Sequence, residues 1–262
     1  MMSGVRGEAH HLMRTSRRDF LLAAAAASGM ARGSSTRGAL DPASPIRPPL
    51  LGQSWRYARH DYVTGAMLDT QIDRLAAIGK SIVIESTTEG AEAAPITYPS
   101  LGDGWWRQYM GATAVRSGAP VEVHQPWGMV VVDPHWSDLQ SFEKPMPLWP
   151  SELRPGWSAT VDTRYMIPTS SQVMPWQVTL HAKRWESVTV PAGRFTALRC
   201  YSLIDFRYTN VSERVAGQRQ ENLWFVPEIG RWAARESWGT FYQDVGERFH
   251  ESSHRWELLG WT

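Results

Sequence analysis

The chain has 262 residues, 42% hydrophobic and 20% charged, which suits one large globular domain or two small ones rather than a disordered chain. A formal net charge of +1 excludes a strongly basic nucleic-acid binder. The single cysteine, Cys200, excludes an intramolecular disulfide framework and multi-cysteine zinc or iron–sulfur sites, and it lies too far along for the usual acylated anchor of a lipoprotein.

Taken in chain order, the first feature is Ser16-Arg17-Arg18-Asp19-Phe20-Leu21-Leu22, followed by apolar residues to Ala27 and small residues to Ala31. A charged start, a short apolar run and a small-residue exit make an export signal. Arg17, Arg18 and Phe20 resemble the twin-arginine type, without the lysine often found at its end. This resemblance implies the twin-arginine export machinery as a partner and the periplasm or the exterior as destination. The apolar run is shorter than the roughly 20 residues of a membrane span, and no later segment is apolar enough to be one. Residues 1–31 are expected to be the signal peptide, cut after Ala31 or Ala39. Removing 1–31 takes away four arginines and two acids, leaving a net charge of about −1.

Residues 32–50 are rich in Pro, Gly and Ser and read as a linker. From 51 onward the dominant signal is alternation with period two. Strands are predicted at Ser54–Tyr62, Met67–Arg74, Ser81–Thr88, Val121–Gln125, Gly128–Asp133, Trp157–Met166, Trp176–Ala182, Thr196–Tyr208, Asn222–Val226, Arg231–Tyr242 and Phe249–Leu259. A short helix over 69–79 competes with the second of these, because Ile72, Leu75 and Ile78 also have helical spacing. Residues 89–120 and the Pro-rich 145–155 read as loops. In 176–182, Trp176, Val178, Leu180 and Ala182 share one face and Gln177, Thr179 and His181 the other. The expected fold is all-β and mostly antiparallel: a strongly curved sheet, half-barrel or sandwich with long middle loops, forming a single domain over 51–262. Gly52 with Trp55, and Gly156 with Trp157, give a weak trace of two related halves, 51–150 and 151–262.

Two corners carry a resemblance. Val188-Thr-Val-Pro-Ala-Gly-Arg-Phe195 and Trp224-Phe-Val-Pro-Glu-Ile-Gly230 resemble the V-x-V-P-A-G-x-F and W-[YF]-x-P-x-[IVL]-G corners of bacterial exported β-rich proteins of the DUF3108 type. It covers about the last 75 residues well and 50–65 loosely. It implies a fold related to lipoprotein-carrier half-barrels and an exported location, and no catalytic residues. Turn chemistry alone accounts for both corners: proline ends a strand and glycine supplies the left-handed turn.

Candidate chemistry is sparse. His250-Glu251-Ser252-Ser253-His254 matches H-E-x-x-H, in which a helix presents two histidines to zinc and the glutamate acts as base. Here the pattern runs into Arg255-Trp-Glu-Leu-Leu259, which reads as a strand, and downstream only Glu257 could add a ligand. His124, Asp133, His135 and Asp138 lie close in sequence without metal-site spacing and read as loop or edge-strand residues. His60-Asp61 is a bare pair, and His181 falls on a polar face. There is no nucleophile elbow, phosphate loop or dinucleotide fingerprint, and no cofactor is expected. Cys200 falls on an apolar strand face.

The 14 tryptophans are the oddest feature. Core filling outweighs ligand lining for most, with Trp105, Trp106, Trp127 and Trp136 the candidate ligand-binding residues. The expected function is an exported, non-enzymatic β-domain binding a lipid-like or other amphiphilic molecule, or a cell-envelope component. The alternatives are an envelope hydrolase built on His250, Glu251 and His254, and a carbohydrate-binding module built on Trp105, Trp106 and Trp127.

Overall fold

The computed structural model describes residues 45–89, 121–136, 139–167, 173–209, 214–242, 248–251 and 253–262. The twin-arginine segment with Arg17, Arg18 and Phe20, the proposed cleavage sites, and Trp105, Trp106 and Asp138 lie outside the described residues. The chain divides into Met1–Gly38 and Ala39–Thr262, and every described residue belongs to the second unit.

That unit contains thirteen described strands: β1 Ser54–Asp61, β2 Met67–Ile78, β3 Ile82–Thr88, β4 Val121–His124, β5 Met129–Asp133, β6 Gln140–Pro147, β7 Ser158–Met166, β8 Met174–Val190, β9 Gly193–Thr209, β10 Arg214–Val226, β11 Arg231–Tyr242, β12 Arg248–His250 and β13 His254–Trp261. Each strand from β1 to β11 pairs antiparallel with the next. β13 then inserts between β11 and β1, pairing Ala234–Ser237 on one side and Trp55–Asp61 on the other. The curved all-β sheet expected from the sequence thus runs to closure as a barrel of twelve strands, with β12 a short addition to β11.

Residues 69–78 of that stretch are strand, not helix: Thr70, Asp73 and Leu75 are buried in β2, which pairs along its length with β1 and β3. The predicted faces of β8 hold, with Trp176, Val178, Leu180 and Ala182 buried and Gln177 exposed. Polar residues such as Ser158, Thr160 and Asp162 face outward across β7 as well. On these two strands the outer face is polar, the reverse of the apolar exterior of a lipid-facing strand.

Three predicted boundaries are corrected. Pro145 and Pro147, read as loop, belong to β6. Residues 143–145 fall in a register break between the Ser141 and Met146 pairs with β5, where a missing N–H is tolerated. β10 begins at Arg214, eight residues before the predicted start at Asn222, because its inward positions Arg219 and Glu221 are charged and break the apolar alternation. The last predicted strand is two, β12 and β13, separated at Glu251–Ser253.

A twelve-stranded barrel encloses more space than the eight-stranded kind that ordinary side chains fill. The bulkiest side chains occupy it: Trp55, Trp176, Trp232 and Trp256, with Arg231 and Arg235, are the largest fully buried residues. β4 is buried on both faces, with Val121 and Val123 in a second apolar cluster that includes Val83 and Val131, and Glu122 and His124 turned into the barrel.

Candidate functional site

Strand alternation points four carboxylates and two guanidiniums into the barrel. Arg231 of β11 donates from Nη1 to Glu122 Oε1 at 2.7 Å and from Nη2 to Glu122 Oε2 at 3.1 Å and Asp73 Oδ2 at 2.7 Å. The other Asp73 oxygen accepts from Ser86 Oγ and Gln71 Nε2, each at 2.7 Å. Four residues further along β11, Arg235 donates to Glu221 at 2.5 Å and to Asp133 at 3.4 Å. Burial opposes ionisation of Asp73, Glu122 and Asp133, but the adjacent guanidiniums win and hold all three below the usual carboxylate range. Glu221 goes the other way, because its burial outweighs Arg235 and Asp133 adds repulsion.

Two histidines complete the network. His124 accepts from the Gly128 backbone N–H on Nδ1 at 3.2 Å and donates from Nε2 to Glu122 at 2.5 Å. It is therefore the neutral Nε2–H tautomer, and burial lowers its pKa accordingly. His135 places Nδ1 2.9 Å from Asp133 and 3.2 Å from Glu122. Burial and Arg235 oppose its proton, yet the Asp133 and Asp73 carboxylates raise it to about 9. Gln71, which accepts from Trp256 and donates to Asp73, turns its amide nitrogen toward Nε2 at 3.2 Å. At neutral pH both ring nitrogens therefore carry protons, Nδ1 between the Asp133 and Glu122 carboxylates and Nε2 3.9 Å from Asp73 Oδ2.

Glu122, Asp133 and His135 offer ligand atoms within 4.8 Å of one another. Both Glu122 oxygens already accept from Arg231, and Asp133 accepts from Arg235 and His135. Two fixed cations at the edge of the trio repel a third, so the donor set does not suit a metal ion. The cluster reads as an internal ion network that fixes β2, β4, β5, β10 and β11 against one another.

Beside His135 the network borders a cleft. This cleft, of about 200 Å³, is lined by Arg59, Gln71, Pro134, His135, Trp136, Glu251, His254 and Trp256. Arg59 and His254 are half-exposed and form its rim. Trp256 is fixed by Gln71 and packs edge-on to His135 at 5.9 Å and His254 at 5.5 Å between ring centres. Trp136 has the Arg219 guanidinium 4.2 Å from its ring centre. Arg219 in turn donates twice to Glu251, at 2.7 and 2.5 Å.

The histidines His124 and His135 and Asp133, read from sequence as loop or edge residues, are core members of the network. Glu122, Asp73, Glu221, Arg231 and Arg235 were not singled out. Their only sequence signal is parity, Glu122 with His124 and Arg231 with Arg235 on the same strand faces. H-E-x-x-H lies on no helix: His250 ends β12 and is exposed, Glu251 is buried against Arg219, and His254 begins β13. Of the candidate tryptophans, Trp127 packs inward on His124 at 4.6 Å and edge-on to Trp149 at 5.1 Å, whereas Trp136 lines the cleft. His181 bonds Ser158 on the outer face, and Asp61 caps the β1–β2 turn through Val63 and Thr64. Cys200 is buried, and burial alone pushes its thiol well above the usual range.

No family model and no curated protein matches the chain. Among solved structures, a predicted lipoprotein from Parabacteroides distasonis aligns over 82% of this chain and 97% of its own, at 12% identity and a TM-score of 0.42. A predicted exported protein with a YmcC-like fold from Bacteroides fragilis aligns over 84% and 99%, at 13% identity and a TM-score of 0.41. Likenesses of this strength transfer no function to this chain.

Proposed function

We propose that the chain is an exported, non-enzymatic β-barrel that binds a small amphiphilic molecule in the cleft between Trp136 and Trp256. The single observation that carries this reading is the cleft itself, a cavity of about 200 Å³ that reaches from a half-exposed rim to the buried His135. It combines aromatic walls with a few convergent polar groups, the usual make-up of a small-molecule site. The Ser16–Leu22 signal supports export through the twin-arginine route to the periplasm or beyond, with the DUF3108-type corners pointing the same way. The polar outer face of β7 and β8 suits a barrel surrounded by water. The ion network gives the cleft a rigid floor, which limits the entropy lost on binding.

Native mass spectrometry of the protein secreted with its own leader tests this. The expected result is a one-to-one small-molecule adduct that is lost in His254→Ala and Arg59→Ala. An adduct that survives both substitutions places the ligand elsewhere and overturns the reading.

A further inference from the structure

The rim of the cleft is charge-paired before any ligand arrives. Arg59 spends Nε and Nη2 on Asp69, and Glu251 holds Arg219 through both oxygens. His254 is kept neutral, first by burial and then by Arg59. An anion entering the cleft meets Glu251, and a cation meets Arg59, so neither finds an uncompensated partner. What remains is hydrogen-bonding capacity of both signs. No described residue bonds Arg59 Nη1 or either ring nitrogen of His254, so the rim offers donors from the guanidinium and one donor and one acceptor from the imidazole. Beside them, Pro134 and the Trp136 ring supply apolar surface, and the Arg219 guanidinium lies 4.2 Å from the centre of that ring.

Hydroxyl groups meet this rim well, because they are uncharged and each both donates and accepts. Hydroxyls on a compact carbon ring also present C–H groups to an indole. The volume of about 200 Å³ admits one such ring rather than a chain of them. We infer that the ligand, or the part of it that enters the cleft, is a single neutral sugar ring. It lies against Trp136 and Pro134, with its hydroxyls bonded by Arg59 and His254. This rests on the cleft being a ligand site at all. It moves the carbohydrate alternative from Trp105, Trp106 and Trp127 to a different set of residues.

Saturation-transfer NMR on the intact secreted protein separates the two claims. The probes are methyl β-D-glucopyranoside and N-acetylglucosamine as neutral rings, glucuronate as an anion, glucosamine as a cation, and dodecanoate as an apolar chain. The inference expects a neutral ring to bind, and binding to weaken about tenfold in Arg59→Ala and again in His254→Ala, as hydrogen bonds are lost. Both residues are half-exposed, so the variants keep the fold, which circular dichroism verifies. Binding only by glucuronate, glucosamine or dodecanoate, sensitive to the same substitutions, overturns the sugar assignment and leaves the site standing. If no probe responds to either substitution, the cleft is not a site and both readings fall.

Discussion

At the residue scale, Arg231 shows how this barrel accommodates charge in its interior. Its side chain is wholly buried and satisfies Glu122 in a bidentate grip and Asp73 through the same fork, geometry that lysine cannot reproduce. Removing one member of a buried pair leaves the other uncompensated, which costs about 3–5 kcal/mol. Arg231→Ala strands two carboxylates at once. It is therefore expected to destabilise the protein by at least about that amount in urea unfolding, and more than Arg184→Ala, which removes an exposed pair with Glu186. Equal effects of the two substitutions would show the network to be unimportant for stability. None of this was legible in the sequence, because a charged residue inside a strand reads as an outward one until its partners, here up to 158 positions apart, are placed beside it.

At the element scale, the corners were legible because their chemistry is local. Pro191 and Gly193 join β8 to β9, and Gly193 has the positive φ of 137° that the turn needs. Pro227–Ile229 forms a single 3-10 turn that ends on Gly230 at φ 69°. The second corner has a partner that its sequence does not reveal: the Arg47 backbone donates to Pro227 O at 2.8 Å, and a Cβ on Gly230 would lie 2.6 Å from the Arg47 carbonyl oxygen. Gly230→Ala is thus strained twice, by its backbone conformation and by contact with residue 47. The expected outcome is a loss of about 1–3 kcal/mol from the left-handed conformation. Limited proteolysis is also expected to cut faster near residues 45–50, and unchanged cleavage there would show that the arm does not depend on the corner.

At the scale of the whole molecule, the barrel depends on β13. Among the described strands it is the one inserted out of sequence order, lying against β1 and β11, and its Trp256 and Leu258 are buried. Without it, β1 and β11 each present an open edge, a template for association between chains. A chain ending at Ser253 is expected to lose the cooperative thermal transition and to scatter light in a concentration-dependent way. A monomeric truncated chain melting like the full protein would show that closure is dispensable. The abundance of tryptophan belongs to this scale too. Twelve strands enclose a wide interior, and indoles with long guanidinium side chains are what reach across it.

By itself the sequence determined the strand class, most strand positions, the turns between them and the polar-out face of β8. Period-two patterning and Pro–Gly turn chemistry act over a few neighbouring residues and need no partner. Only the tertiary structure decided that the sheet closes, that Asp73, Glu122, Asp133, Glu221, Arg231 and Arg235 meet inside it, and that Trp136, His254 and Arg59 border one cleft. Each of those outcomes depends on which strand lies beside which, and electrostatic energy depends on distance in space, which strand order sets and sequence separation does not.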